Sequence, residues 1–283
     1  MIRLAVRCRP EAAERVLAEL IELAPSGVEE ADGDGYVELA VYGAPGEVPE
    51  LPDLEAAAAG GLIAVTTAEV PDDWADRWRD FHQPTAIAAG RLVIRPSWIP
   101  SDPEAEDAAG LDVVVDPGQA FGTGAHATTR MCLKLLLDVA DAGGAEGGLA
   151  DLGTGSGVLA IAAAKLGWRP VIAVDSEIAS LEAAAANARA NAVELDLRRV
   201  NLRLEPAPAA ATVVANLTAP LLVEVAPRLE RRPRAMICSG LLASESGRVE
   251  AALAGAGLTV AERRESGEWA ALRLERRSDA ARG

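Results

Sequence analysis

The sequence predicts an α/β protein, in which a mainly parallel sheet with helices on both faces follows a smaller α+β domain. Two observations support this prediction. From about residue 111 onward, short apolar runs alternate with helical runs, as expected of a parallel sheet whose crossovers are helices. Residues 1–70 instead contain strand-like runs around one amphipathic helix. We therefore assign a first domain to residues 1–70, a connector to 71–100 and a second domain to 101–283.

The first domain is predicted from the order of its elements. A strand at 2–7 alternates apolar and basic residues, and Pro10 then opens a helix. The apolar residues of that helix share one face: Ala13, Val16, Leu17, Leu20 and Ile21. Further strands are predicted at 27–30, 36–42 and 62–70, with a short helix at 54–59. The resulting order, βαββαβ, is that of a ferredoxin-like sandwich.

The connector is rich in large aromatic residues. Trp74, Trp78 and Phe81 are spaced to lie on one face of a helix, and Trp98 follows a strand predicted at 91–95. Bulky aromatic side chains at such a joint are expected to be packing anchors where two domains meet. A role in lining the approach of the substrate is the alternative.

The second domain alternates regularly between strands and helices. Strands are predicted at 113–115, 149–152, 171–174, 202–204, 212–215, 235–238, 258–263 and 269–274. Helices are predicted at 128–139, 158–166, 178–192 and 245–256, with another helix after the strand at 212–215. In sheets of this kind, ligands bind at the carboxyl ends of the strands. Asp151, Asp175 and Asn216 are expected at that edge.

The most informative segment is 151–157, which reads DLGTGSG between a strand and a helix. Glycine has no Cβ, so a glycine-rich turn lets the backbone approach a ligand closely. Asp175 ends the next strand, where its carboxylate can accept hydrogen bonds from both hydroxyls of a ribose. This arrangement indicates a nucleoside cofactor. The alternative is a glycine-rich connection that binds nothing.

The spacing of the glycines favours one class of cofactor. Dinucleotide enzymes use G-x-G-x-x-G to place a pyrophosphate at a helix N-terminus. Here Gly153, Gly155 and Gly157 alternate with other residues, and Val158 follows them. This pattern resembles the first motif of methyltransferases that use S-adenosylmethionine. S-adenosylmethionine is therefore the predicted cofactor, and no metal is expected.

The composition of the chain indicates its cellular location and whether it binds membranes. No apolar run reaches the roughly 18–20 residues needed to span a bilayer, and the first residues lack an apolar signal core. The three cysteines, Cys8, Cys132 and Cys238, are far apart and are expected to be buried free thiols. We therefore expect a cytoplasmic protein that does not bind membranes.

The acidic charge is unevenly distributed. The net charge is −16, and residues 119–283 carry equal numbers of acidic and basic side chains, so the whole excess lies in residues 1–118. Such a field repels nucleic acid and steers a basic partner toward the protein. Direct binding of nucleic acid is therefore not expected. Solubility alone is the alternative explanation of this charge.

Four segments of the second domain resemble one family. They read DPGQAFGTGAHATT at 116–129, DLGTGSGVLAIAAAKLG at 151–167, VVANL at 213–217 and SGLL at 239–242. Together with the connector aromatics and the terminal sequence Gly-Glu-Trp at 267–269, they are similar to the PrmA family of bacterial ribosomal protein methyltransferases. The resemblance extends from about residue 72 to 277, and AFGTGxHxTT is its most specific part.

The resemblance implies a Rossmann-like class I methyltransferase domain, a linker and a ferredoxin-like substrate-recognition domain. Members of the family trimethylate lysine side chains and the N-terminal amine of large-subunit ribosomal protein eleven. This ribosomal protein is therefore the expected partner. The motifs carry over Thr129, Gly153, Asp175 and Asn216 as cofactor contacts. The first domain departs from the family because it is short and its second helix is reduced. We expect a monomer.

A flexible loop is expected ahead of one helix of the second domain. Phe121, Gly122 and Thr123 precede Gly124 in this loop, which is expected to close over the methionine end of the cofactor. Phe121 and Gly122 are therefore predicted to bind the cofactor. The following helix is expected to be capped by Thr128 or Thr129. A plain helix cap with a glycine hinge is the alternative.

Other candidates lie next to the glycine loop. Gly155 and Asp151 are predicted to bind the cofactor, with Asp151 orienting either the loop amides or the cofactor amine. Asn216 is expected to meet the substrate amine or the cofactor, and a turn-forming asparagine is the alternative. His126 is expected to act in a cofactor or substrate loop, and a structural histidine is the alternative. We predict Asn216, His126 and Thr123 as catalytic residues.

The expected chemistry is in-line transfer of a sulfonium methyl group to an amine nitrogen. A lysine amine has a reference pKa of about 10.4, and burial in an apolar site favours the neutral form that can attack. Other functions remain open. They are methylation of another protein such as a flavoprotein, methylation of nucleic acid, a nicotinamide-dependent oxidoreductase and a non-catalytic module that binds the cofactor.

Overall fold

The computed structural model describes residues 2–23, 28–33, 35–43, 62–69, 82–101, 110–116, 124–229 and 231–277. These residues form two compact units, with the boundary between His82 and Gln83. The helix predicted at 54–59 and the connector aromatics Trp74, Trp78 and Phe81 lie outside the described residues. In the described part of the chain, no helix is long and apolar enough to cross a membrane.

The first unit is a four-stranded antiparallel sheet with one described helix. Its elements are β1 (Ile2–Cys8), α1 (Pro10–Leu23), β2 (Glu29–Gly33), β3 (Tyr36–Gly43) and β4 (Leu62–Glu69). The strands are ordered β2-β3-β1-β4, and every neighbouring pair is antiparallel. This is the strand order of a ferredoxin-like sandwich, as the sequence predicts.

Alternation along β1 explains how this unit forms a core. Leu4, Val6 and Cys8 lie on the same face of the strand, because side chains of a strand alternate between its two faces. They are buried together with Val16 and Leu20 of α1. The predicted apolar face of the helix therefore covers one face of the sheet.

The second unit contains ten strands and five α-helices among its described residues. They are β5 (Thr85–Ile87), β6 (Leu92–Arg95), β7 (Leu111–Val114), α2 (Ala127–Asp141), β8 (Leu149–Leu152), α3 (Val158–Lys165), β9 (Val171–Asp175), α4 (Ile178–Ala190), β10 (Asp196–Arg199), β11 (Thr212–Asn216), α5 (Ala219–Val225), β12 (Ala235–Leu242), α6 (Ser246–Gly255), β13 (Leu258–Ser266) and β14 (Trp269–Arg276). Most of the helices and strands predicted from the sequence are present, with ends shifted by a few residues.

Seven of these strands form one sheet, in the order β10-β9-β8-β11-β12-β14-β13. Strands β8 to β12 are parallel, whereas β14 is antiparallel to both β12 and β13. Counted from β8, the first five strands follow the 3-2-1-4-5 order of a doubly wound sheet. The order reverses between β8 and β11, so the crevice between these strands is where a ligand is expected to bind.

Two apolar cores cover the two faces of this sheet. Residues such as Leu149 and Ile237 pack with α2 and α3, while Ala150 and Met236 pack with α5 and α6. Helix α3 is buried along its length, since its alanines allow it to lie close to the sheet. The three cysteines are buried free thiols, as expected.

The strand predicted at 113–115 does not belong to the main sheet. β7 pairs in parallel with β6, and β6 pairs antiparallel with β5, so that these strands form a separate small sheet. Alternation of apolar residues identifies a strand, but it carries no information about the partner of that strand.

The strand predicted at 202–204 is wrong. These residues form a turn, in which the carbonyl of Asn201 accepts hydrogen bonds from the N–H groups of Leu204 and Glu205. The side chain of Asn201 stabilises the turn by accepting from the N–H of Arg203 at 3.1 Å. The edge strand beside β9 is the polar segment β10 instead. Leu204 is 77% exposed, so its apolar character does not mark a buried strand.

Candidate cofactor and catalytic site

The candidate site lies at the carboxyl ends of β8, β9 and β11. Asp151 is the third residue of β8, Asp175 is the last residue of β9, and Asn216 is the last residue of β11. The strand order β9-β8-β11 makes these strands neighbours. Three residues from distant parts of the sequence are therefore brought to one edge of the sheet, at its switch point.

Close packing requires glycine at the first and last positions of the glycine loop. Gly153 and Gly157 have φ angles of 72° and 83°, which favour glycine. A Cβ on Gly153 would lie 2.4 Å from Cδ2 of Leu217, and one on Gly157 would lie 3.0 Å from the Cβ of Ala184. The loop is therefore held between the residue that follows β11 and helix α4.

Asp175 ties the glycine loop to the end of β9. One carboxylate oxygen accepts a hydrogen bond from the N–H of Gly155 at 3.0 Å, and the other accepts from the N–H of Glu177 at 3.1 Å. The carboxylate is half-buried. Since each carboxylate oxygen has two lone pairs, Asp175 can still accept from a ligand hydroxyl.

Asp151 is fully buried directly before the loop. Its Oδ2 accepts hydrogen bonds from Oγ1 of Thr154 at 2.7 Å and from the N–H of Ala160 at 3.2 Å. Its Oδ1 has no partner among the described residues. Burial raises the pKa of Asp151 from 3.8 to about 7, although the hydrogen bonds from Thr154 and Ala160 oppose this shift. The site thus contains a buried acceptor that a donor on a ligand can satisfy.

Asn216 connects the end of β11 to the first turn of α2. Its Nδ2 donates to Oγ1 of Thr129 at 3.2 Å, and Thr129 is buried. Its Oδ1 is also buried and has no partner among the residues that the structure describes. The two predicted contact residues therefore form one pair, which presents an unused acceptor.

His126, and not Thr128 or Thr129, caps helix α2. Its Nδ1 accepts from the N–H of Thr128 at 3.4 Å and lies 2.7 Å from Oγ1 of the same residue. The ring also meets Trp269 edge to face, with centroids 5.0 Å apart. Burial lowers the pKa of His126, so the neutral ring keeps the lone pair that capping needs. The predicted cap was wrong because both threonines lie inside the first turn, and an imidazole serves in place of a hydroxyl.

The segments VVANL and SGLL meet at Leu217. The N–H of Leu217 donates to the carbonyl of Ser239 at 3.0 Å. Gly240 has a φ of 84°, and a Cβ there would lie 2.6 Å from the carbonyl oxygen of Leu217. Glycine in SGLL thus lets β12 pass close to the residue that packs on Gly153. Three of the four family segments build the same edge of the sheet.

The predicted loop residues Phe121, Gly122 and Thr123 lie outside the described residues. The next residue, Gly124, has a φ of 86°. A Cβ on Gly124 would lie 2.3 Å from Cδ1 of Ile94, which is buried in β6. Glycine at this position is therefore required by packing against β6 as well as by the backbone angle.

Sequence reasoning missed two buried asparagines, Asn187 of α4 and Asn191, which caps that helix; Asn187 bonds the glycine loop. Asn187 and Asn191 are 4% and 8% exposed. Asn187 donates to the carbonyl of Ser156 in the loop at 2.8 Å. Polar residues in a helix are usually solvent-exposed, so an asparagine in a helical run does not by itself indicate a buried role. Their i, i+4 spacing, which places both amides on one face, was the available signal.

Comparison with known proteins identifies similar methyltransferases. The sequence model described as "Ribosomal protein L11 methyltransferase (PrmA)" matches residues 53–277. The ribosomal protein L11 methyltransferase of Pelotomaculum thermopropionicum is 41% identical over 219 residues, covering 75% of this chain and 69% of that protein. The protein of the same name from Heliobacterium modesticaldum is 38% identical over 217 residues, covering 75% of this chain and 66% of that protein. The chain therefore matches about two thirds of the length of these relatives.

A solved structure is similar as well. The crystal structure of ribosomal protein L11 methylase from Lactobacillus delbrueckii subsp. bulgaricus matches with 31% sequence identity and a TM-score of 0.59. The match covers 66% of this chain and 96% of that chain.

Proposed function

The chain belongs to the ribosomal protein L11 methyltransferase (PrmA) family, and we propose that it transfers methyl groups from S-adenosylmethionine to amino groups of ribosomal protein L11. Membership in this family confirms the resemblance drawn from the sequence segments. One observation carries the proposal: the glycine loop, Asp175 and the Asn216–Thr129 pair meet at the switch point of the sheet.

The residues present fit a nucleoside with an amino-acid tail. Gly153 brings loop backbone to the sheet edge without a side chain in the way, as a flat ligand requires. Two buried acceptors, Oδ1 of Asp151 and Oδ1 of Asn216, have no donor among the described residues. Burying such an atom without a partner is costly, so a ligand that brings N–H or O–H donors is favoured. S-adenosylmethionine carries donors on its ribose, its adenine and its amino group, and the amine of the substrate brings another.

We assign the binding groups as follows from these contacts. Asp175 accepts from the ribose hydroxyls, and Gly153 and Gly155 provide the backbone on which the nucleoside rests. Asp151 accepts from the ammonium of the methionine part. When bound, S-adenosylmethionine supplies a methyl group on a sulfonium, which is already a good leaving group. Thr129 and Asn216 form the side of the site nearest the end of β11.

The chain mainly has to position the attacking amine and keep water away. Only a neutral amine has the lone pair that attacks, and a buried apolar surrounding favours that form. We propose that Oδ1 of Asn216 accepts a hydrogen bond from the substrate amine and orients its lone pair. His126 acts as a positioning residue, because it caps the helix that carries Thr129. We also propose that Thr123, with Phe121 and Gly122, belongs to the loop that covers the methionine end of the cofactor.

Recognition of the protein substrate is proposed for the first unit. Its sheet has the ferredoxin-like order, and residues 1–68, with 13 acidic and 4 basic side chains, carry a net charge of −9 that suits a basic partner. We propose that lysine side chains and the N-terminal amine of ribosomal protein L11 are methylated by a monomeric enzyme in the cytoplasm. A second candidate, methylation of a different protein by the same chemistry, has no specific observation in its favour.

Mass spectrometry of purified ribosomal protein L11, incubated with the enzyme and S-adenosylmethionine, tests this proposal. We expect gains of about 14 Da per methyl group, in multiples of three at individual amines, because the family resemblance implies trimethylation. Binding of S-adenosylhomocysteine is measured in parallel by calorimetry. No mass gain in the presence of tight cofactor binding would reject this substrate while leaving the methyltransferase assignment intact.

Asp175→Ala serves as the matched loss-of-binding variant. It removes the carboxylate assigned to the ribose, so we expect affinity for S-adenosylhomocysteine to fall by roughly tenfold or more. The control is Asp196→Ala, which removes an exposed aspartate of β10 that pairs with Arg198. Unchanged affinity in Asp175→Ala would withdraw the ribose assignment.

A further inference from the structure

We propose that Asn187 is a positioning residue, which holds the glycine loop of the cofactor site in place against Asp116, two residues beyond the end of β7. This inference rests on the proposed function, because it concerns the loop assigned to the cofactor. It adds a residue from outside the family segments to the machinery of the site.

The C-terminal cap of α4, Asn191, takes the place of a neighbouring strand for β7. The N–H groups of Leu111 and Val115 donate to carbonyls in and before β6, so that edge of β7 is satisfied by backbone. Val114 faces the opposite edge. There, Asn191 accepts from the N–H of Val114 at 2.9 Å and donates to its carbonyl at 2.6 Å. An amide side chain thus satisfies both polar groups of one strand residue.

Asn187 continues the same pattern one helical turn earlier. Its Oδ1 accepts from the N–H of Asp116 at 3.2 Å. Four residues along a helix rise about 6.0 Å, and two residues along a strand rise about 6.6 Å. The spacing of the two asparagines therefore matches the spacing of Val114 and Asp116 on the extended chain.

Asn187 differs from Asn191 because its amide nitrogen reaches the glycine loop. Its Nδ2 donates to the carbonyl of Ser156 at 2.8 Å, and both residues are buried. The Nδ2 of Asn191 bonds instead to backbone carbonyls of β7 and α4. One buried amide, having a donor and an acceptor, thus fixes two backbone segments relative to each other. Without the Asn187 side chain, the carbonyl of Ser156 would lose its donor, and the loop would lose its bond to this amide. Leaving a buried carbonyl unpaired is costly.

The test compares Asn187→Ala with the matched variant Asn191→Ala. Amide hydrogen exchange, measured by mass spectrometry without cofactor, reports on the loop directly. We expect faster exchange in peptides covering 152–160 in Asn187→Ala but not in Asn191→Ala, and faster exchange around 111–116 in both. In calorimetry, we expect the Kd of S-adenosylhomocysteine to rise roughly 5- to 10-fold in Asn187→Ala only.

A second variant keeps the test decisive if Asn187→Ala does not fold. Asn187→Asp retains the acceptor for Asp116 and, as a carboxylate at alkaline pH, lacks the donor for Ser156. We expect Asn187→Asp to speed amide exchange in peptides covering 152–160 but not around 111–116. Unchanged loop exchange in the Asn187 variants that fold, or an equal change in Asn191→Ala, would overturn the proposal. Because the exchange comparison needs no cofactor, it decides the role of Asn187 even if the proposed methyl transfer fails.

Discussion

Among single residues, Asp151 makes stability depend on pH in a defined direction. Its pKa of about 7 in the folded chain lies above the ordinary value of 3.8 because the side chain is buried. Between these values the folded state holds a proton that the unfolded state has released, so the free energy of unfolding falls as pH rises. We expect Asp151→Asn to remove a slope of at most about 1.4 kcal/mol per pH unit. Urea unfolding at several pH values between 4 and 8 measures it.

The comparison with wild type isolates this effect from other titrating groups. His126 acts in the opposite direction, since burial lowers its pKa and its protonation below about pH 6.5 therefore favours the unfolded state. That contribution is common to both proteins and cancels in the difference. Asp196→Asn is the control, because the pKa of this exposed carboxyl is lowered by Arg198, so its contribution lies at lower pH. Parallel pH profiles of wild type and Asp151→Asn would contradict the prediction.

Among the elements, those with strong local signals could be predicted and those defined by distant partners could not. Residues 149–166 predict a strand, a turn and a helix, because apolar residues, the glycines of DLGTGSG and helix formers follow one another in that order. By contrast, β7 pairs with β6 rather than with the main sheet. The polar strand β10 has a weak apolar pattern, whereas the nearby Leu202 and Leu204 predict a strand that the structure does not contain.

The site shows the same division between local and distant information. Asp175 and Asn216 could be predicted to share an edge, because the carboxyl ends of parallel strands meet there. The hydrogen bond between Asn216 and Thr129 could not, since it joins segments 87 residues apart. The role of Asn187 depends on Ser156, which lies 31 residues away. Such contacts follow from packing of whole elements, which no local pattern in the sequence records.

Helix α3 provides a test at the scale of an element, because its N-terminus depends on Gly157. We expect Gly157→Ala to lower the free energy of unfolding by about 2 kcal/mol, since alanine is strained at a φ of 83° and its Cβ would press on Ala184. Gly255→Ala is the matched control in α6, where a Cβ meets nothing within 4 Å. It is expected to stabilise the chain by up to about 1 kcal/mol. Chemical denaturation measures both, and a neutral Gly157→Ala would show that the loop relaxes around a side chain.

In the whole molecule, charge and chemistry are separated along the chain. The glycine loop, Asp175 and Asn216 all lie beyond residue 118, whereas the acidic excess lies in residues 1–118. A field of this sign acts over a distance of about 10 Å at moderate salt. It therefore affects the approach of a charged protein substrate more than the binding of a small cofactor.

This separation predicts that salt affects the two substrates differently. We expect kcat/KM for ribosomal protein L11 to fall several-fold between about 50 and 300 mM salt, because screening weakens the steering of a basic partner by an acidic surface. The Kd of S-adenosylhomocysteine should change by less than about twofold over the same range, since close hydrogen bonds in a buried site are screened little. Steady-state kinetics and calorimetry in the same buffers provide the two measurements. If kcat/KM does not depend on salt, the acidic charge serves solubility instead of substrate capture, and recognition must depend on short-range contacts.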